Sequence, residues 1–150
     1  MDLIPRSWGR PPEAEYHGLF NHGATCYLNS VLQVLFMTEE FREAVNRFTS
    51  PNKNSIDHHL KELFEELQQQ KAYTYNILNA LEVINVNVQQ DAAEYFEKIL
   101  RMTSTNAAQV FHGQLTHRTT CSVCHTETDS EGPFWHLPLD LEESSGNYSV

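Results

Sequence analysis

The stretch Gly18-Leu19-Phe20-Asn21-His22-Gly23-Ala24-Thr25-Cys26-Tyr27-Leu28-Asn29-Ser30-Val31-Leu32-Gln33-Val34-Leu35 sets the reading of the whole chain. From Cys26 to Phe36 the apolar residues Tyr27, Leu28, Val31, Leu32, Leu35 and Phe36 recur three and four apart, which predicts a helix with one buried face. Before it, two glycines and an asparagine mark a loop able to take tight or left-handed backbone, and Thr25 stands where an N-cap belongs. A loop therefore feeds a helix, and Cys26 falls in the first turn. Backbone N–H groups and the helix dipole at that place favour a thiolate, the form of cysteine that acts as a nucleophile.

Downstream, periodicity predicts a second helix over Glu39–Phe48 and a third through Ile56, Leu60, Leu63, Phe64 and Leu67. Between them, residues 49–55 read as a polar turn. Thr74 is placed to cap a shorter helix carrying Ile77, Leu78 and Leu81, and another helix is expected from about Gln90 to Arg101, with Asp91 in its first turn. After Ala108 the pattern changes. Residues 111–119 and 135–141 alternate and are rich in β-favouring side chains, so both are expected as strands. Helices first and strands second give an α+β fold class. Residues 1–15 read as a flexible N-terminal arm, since they lack the apolar centre and cleavage site of a secretory signal.

The chain has 150 residues, 40% of them hydrophobic and 20% charged, which suits a globular domain. No apolar run approaches the roughly 20 residues that cross a bilayer, so no membrane association is expected. Twenty acidic against ten basic residues leave a formal charge of −10, which repels phosphate backbones, and nucleic acid is not an expected partner. The three cysteines, Cys26, Cys121 and Cys124, are an odd number with two only three apart. That argues against a secreted disulfide framework and for the cytosol or nucleus.

The Cys26 segment resembles the cysteine box of the ubiquitin-specific proteases, papain-like cysteine enzymes. A second block, Gln89-Gln90-Asp91-Ala92-Ala93-Glu94-Tyr95-Phe96, is similar to the family's second box. A third, Phe111-His112-Gly113 with Cys121-Ser122-Val123-Cys124 and then residues 134–141, resembles the start of its fingers region. The resemblance implies a helical thumb over about 16–108 and the beginning of β fingers over about 109–141, with the palm missing from this chain. It implies a deubiquitinase that cleaves isopeptide or peptide bonds after the ubiquitin C-terminus, with ubiquitin and ubiquitinated proteins as partners. Cys26 would be the nucleophile, Asn21 the oxyanion-hole residue, and Asp91 with Gln90 the contacts for the extended ubiquitin tail. Ala93 departs from the family, which usually has Gln or His there.

No cofactor is expected in the catalysis. Zinc in the family's fingers is held between two Cys pairs, and Cys121 and Cys124 supply only one, so zinc is expected only if a second pair lies downstream. Neither His117 nor His125 stands at a customary zinc spacing; His125, next to Cys124, would point away from it on a strand. A cysteine hydrolase also needs a base, usually a histidine. None of the eight histidines has the context of the family's late histidine box, and His22 is read as shaping its loop. Two rival readings remain: a non-catalytic ubiquitin-binding or regulatory fragment that keeps Asp91, and a metal-binding adaptor built on Cys121 and Cys124.

Overall fold

The computed structural model describes residues 17–48 and 51–137. Helix α1 (Cys26–Met37) buries Tyr27, Leu28, Val31, Leu32, Leu35 and Phe36, the face that the spacing predicts. Helix α2 (Glu39–Arg47) stops one residue short of the expected end and buries Phe41 and Val45. Its first turn holds Glu39 and Glu40 and its last turn Arg47, a charge order that complements the helix dipole. Helix α3 (Ile56–Leu67) starts where the Ser55 hydroxyl accepts the His58 backbone N–H at 3.3 Å, and it buries Ile56, Leu60, Leu63, Phe64 and Leu67.

Helix α4 (Tyr75–Ala80) is short and ends in a hydrogen-bonded reversal. Glu82 takes a left-handed φ of 55°, its N–H donates to Asn79 O, and the Val83 N–H reaches back to Leu78 O at 2.9 Å. The helix's last carbonyls are thereby satisfied and the chain is turned onto residues 83–91. Helix α5 (Ala92–Met102) begins two residues later than expected, because Asp91 is its N-cap and not part of its first turn. The Asp91 backbone is extended and its Oδ1 accepts the Glu94 N–H at 2.9 Å. A four-residue helix α6 (Thr105–Ala108) and a 3-10 turn (Gln109–Phe111) follow.

One apolar core joins these helices, with Leu28, Leu32, Leu35, Phe41, Phe64, Leu81, Ile99 and Leu100 fully or almost fully buried. Helix α5 packs on α1, and Tyr95 meets Tyr27 edge to face with ring centroids 4.9 Å apart. The starts of the two helices are thus brought together. Asp57, buried in the first turn of α3, holds the α5–α6 connection: both its carboxylate oxygens accept the Ser104 N–H, at 3.0 and 3.1 Å.

Strands β1 (Gly113–Thr120) and β2 (Glu127–Phe134) form an antiparallel hairpin, with Gly113 opposite Phe134 and Thr120 opposite Glu127. The fold class is α+β, as expected, but the second strand is not where alternation placed it. Trp135, His136 and Leu137 lie after the strand, and residues 138–141 are outside the described residues. Segment 127–134 is polar and almost wholly exposed, so it shows no apolar alternation. Its ladder is held by backbone bonds and by cross-strand pairs such as the two-pronged Arg118–Asp129 contact at 2.9 Å. The first strand starts two residues later than expected because Phe111 closes the 3-10 turn and packs toward the core. The N-terminal arm, residues 1–15, also lies outside the described residues.

Candidate active site

Cys26 is the first residue of α1 and is exposed. The loop before it is stitched in place from three sides. Phe20 N–H donates to Ala72 O at 3.0 Å and Ala72 N–H to Gly18 O at 3.2 Å, pairing the loop with the segment before α4. Asn29 Nδ2 donates to Phe20 O, and the Ala24 N–H donates to Val86 O at 2.7 Å. Gly23 has φ +94°, and a Cβ there would lie 2.6 Å from Asn87 Oδ1 and 3.1 Å from Val86 O. Both the backbone conformation and the space require glycine.

Thr25 occupies the N-cap position but does not cap the helix through its side chain, a correction to the sequence reading. Its buried hydroxyl accepts the His22 N–H at 3.0 Å and donates to Asn21 Oδ1 at 2.7 Å. Asn21 Nδ2 in turn donates one hydrogen to Gly23 O at 2.7 Å. The carboxamide is therefore fixed at both ends, and a second N–H on Nδ2 remains to be used. With the Thr25 oxygen accepting the His22 N–H, the backbone N–H groups of Cys26 and Tyr27 have no acceptor among the described residues. An open helix start, one fixed amide and an exposed thiol can together receive a carbonyl carbon and the negative charge that grows on its oxygen.

Among the described residues the side chain hydrogen-bonded to Cys26 Sγ is that of Gln89, whose Oε1 and Nε2 both lie 3.4 Å away. Gln90, the expected tail contact, is the neighbour of the residue at the thiol and not that residue itself. Gln90 is half-buried and directly precedes Asp91, whose Oδ2 has no hydrogen-bond partner among the described residues. His22 does not bond the thiol. Its ring lies against Tyr75, with centroids 4.2 Å apart, and near Tyr73 at 5.8 Å, so it packs in its loop as expected. Beneath the site, the Tyr27 hydroxyl is pushed up to about 12 by burial, then by the neighbouring Tyr95 and Cys26.

Cys121 and Cys124 lie in the hairpin turn, on a different element from Cys26. The Cys121 N–H donates to Thr126 O and the His125 N–H to Cys121 O, both at 2.9 Å, which closes a tight knuckle. The sequence expectation that His125 lies on a strand is corrected: it takes a left-handed turn position with φ 55°. The Thr126 hydroxyl, 3.2 Å from Cys124 Sγ, is the main cause that lowers this thiol to about 7, with help from the Thr126 backbone and Cys121. The donor chemistry of a soft metal site is present at two positions. Among the described residues no third His, Cys, Asp or Glu joins them in a metal-binding group. Likewise, no helix among the described residues is long and apolar enough to cross a membrane.

Comparison with known proteins places these features in context. Residues 17–141 match the family model described as ubiquitin carboxyl-terminal hydrolase. Ubiquitin carboxyl-terminal hydrolase 47 of Drosophila melanogaster is 31% identical over 144 residues, which cover 84% of this chain and 9% of that protein. Ubiquitin carboxyl-terminal hydrolase 26 of Arabidopsis thaliana is 31% identical over 89% of this chain and 14% of its own length. Ubiquitin carboxyl-terminal hydrolase 12 of Salmo salar is 26% identical over 90% of this chain and 48% of its own length. The chain thus spans less than half the length of each of these relatives.

Proposed function

We propose, from the premise that this chain belongs to the ubiquitin carboxyl-terminal hydrolase family, that it carries the nucleophile half of a cysteine deubiquitinase. The complete enzyme hydrolyses the isopeptide or peptide bond after the C-terminus of ubiquitin. The observation that carries this reading is the exposed Cys26 at a helix start with open N–H groups, beside an Asn21 carboxamide held at both ends.

An imidazole supplied from beyond residue 150 takes the Cys26 proton, and the sulfur attacks the carbonyl carbon of the ubiquitin C-terminus. The C=O π pair moves to oxygen, where Asn21 Nδ2 and the open N–H groups donate to it. Collapse restores the carbonyl, breaks the C–N bond and leaves a thioester on Cys26, while the imidazolium returns its proton to the departing amine. Water, deprotonated by the same imidazole, then releases ubiquitin. Asp91 and Gln90 hold the extended tail; the free Oδ2 of Asp91 suits backbone N–H groups or an arginine of that tail.

In fold terms the described helices form the thumb of a papain-like domain and the hairpin begins its fingers, the palm lying outside this chain. Cys121 and Cys124 supply half of a structural zinc site that a second Cys pair would complete, and the catalysis itself uses no cofactor. The enzyme works in the cytosol or nucleus. With the full-length protein and a fluorogenic amide on the ubiquitin C-terminus, Cys26→Ser is expected to abolish turnover and Asp91→Ala to raise KM. Turnover that survives Cys26→Ser would overturn the proposal.

A further inference from the structure

The loop between α4 and α5 delivers a second amide to the nucleophile. Residues 83–91 leave the reversal at Glu82 and are pinned to the active-site loop by the Ala24 to Val86 hydrogen bond and the close approach of Gly23 to Asn87. The Asn85 side chain braces the same loop by accepting the Asn87 N–H at 3.0 Å. Gln89 comes two residues after Asn87, and its carboxamide faces Cys26 Sγ with both terminal atoms at 3.4 Å. Sulfur hydrogen bonds are long, so each atom is at bonding distance.

A carboxamide offers what each state of the sulfur needs. Oε1 accepts from the thiol, and after rotation of the amide Nε2 donates to the thiolate. When the sulfur attacks a carbonyl, the negative charge moves one bond further out, from sulfur to oxygen. A donor already touching the sulfur follows that charge with a small rotation of the side chain.

We propose that Gln89 is a further catalytic residue: it holds the Cys26 sulfur in the free enzyme and its Nε2–H then donates to the oxyanion, alongside Asn21. This rests on the nucleophilic role of Cys26 proposed above. Gln89 transfers no proton. The S–C bond forms from a sulfur lone pair, the carbonyl π pair becomes the oxyanion, and the proton balance stays with the imidazole.

The test uses the full-length protein and the ubiquitin C-terminal amide substrate. Gln89→Ala is expected to lower kcat about tenfold to a hundredfold with KM within about twofold, the signature of a donor used only as charge develops. Gln89→Glu, whose carboxylate repels both thiolate and oxyanion, is expected to lose at least as much. Affinity for ubiquitin aldehyde, whose adduct with the thiol carries the equivalent oxygen, falls by a similar factor in Gln89→Ala, while affinity for unmodified ubiquitin is unchanged. Gln89 is exposed, and an unchanged thermal melt of the variant separates these losses from misfolding. If Gln89→Ala keeps the wild-type kcat, or raises KM alone, while Cys26→Ala abolishes turnover, this inference is overturned and the nucleophile assignment stands. Turnover that survives Cys26→Ala overturns both.

Discussion

The Thr25 hydroxyl donates to Asn21 Oδ1 at 2.7 Å, and this bond decides what both residues can do. A threonine at a helix start ordinarily spends its oxygen on the helix's own N–H groups. Here it fixes an amide instead and leaves the helix start open beside the nucleophile. Thr25→Val keeps the shape and removes the hydroxyl, so the Asn21 amide is free to turn and the His22 N–H loses its acceptor. The expected result in the full-length enzyme is a drop in kcat of about tenfold with a stability loss of about 1 kcal/mol. Thr25→Ser should restore most of both, read by steady-state kinetics and urea unfolding.

The Asp57 carboxylate is buried and receives the Ser104 N–H on both oxygens, tying α3 to the chain between α5 and α6. Asp57→Ala leaves that N–H without a partner, and its expected cost is about 1–3 kcal/mol in urea unfolding. Asp57→Asn retains an acceptor oxygen and should cost distinctly less. Equal losses in the two variants would show that the hydrogen bond is not what Asp57 contributes.

Tyr27 makes the alkaline limb of stability predictable. An unfolded tyrosine ionises near pH ~10, whereas burial, with Tyr95 and Cys26 adjacent, holds the folded hydroxyl up at about 12. Below the unfolded value neither state loses the proton, and the group favours neither. Above it the unfolded state releases a proton that the folded state keeps, so stability falls as pH rises from the unfolded value toward the folded one. Tyr27→Phe removes the titrating hydroxyl and keeps the ring against Tyr95. Its urea midpoint is expected to fall less than the wild type's between about pH 9 and pH 11; an identical decline would refute the assignment.

The helical half of the fold was legible because each of its long helices buries one side, and burial on one side writes a three-and-four spacing into the sequence. Tyr27 through Phe36 and Ile56 through Leu67 are examples. Strand β2 could not be read this way: Glu127 through Phe134 is almost wholly exposed, so nothing in it alternates, and its pairing depends on partners such as Arg118 across the hairpin. Trp135 and His136 instead serve packing outside the strand, with the Trp135 ring 5.1 Å from His112 and His136 Nδ1 3.0 Å from Glu97 Oε1.

At the site, the placement of Cys26 at a helix start followed from the loop glycines and the periodicity. Cap chemistry did not follow from residue type. Thr25 and Thr74 both hold N-cap positions, yet neither hydroxyl caps its helix, and the buried Thr74 oxygen has no partner among the described residues. Gln89 is not legible in the sequence for a topological reason. Its contact with Cys26 spans 63 positions and is made by a loop whose course depends on the Glu82 reversal and the Ala24 to Val86 bond. The one signal available was its place at the head of the block that opens α5.

The nucleophile assignment is tested most directly with ubiquitin carrying a thiol-reactive group at its C-terminus, incubated with the full-length folded protein and followed by peptide mass mapping. The account predicts one adduct, on Cys26, with Cys121 and Cys124 unmodified although they are also exposed, and no adduct on Cys26→Ala. An unlabelled wild-type protein, or labelling that persists in Cys26→Ala, would contradict it.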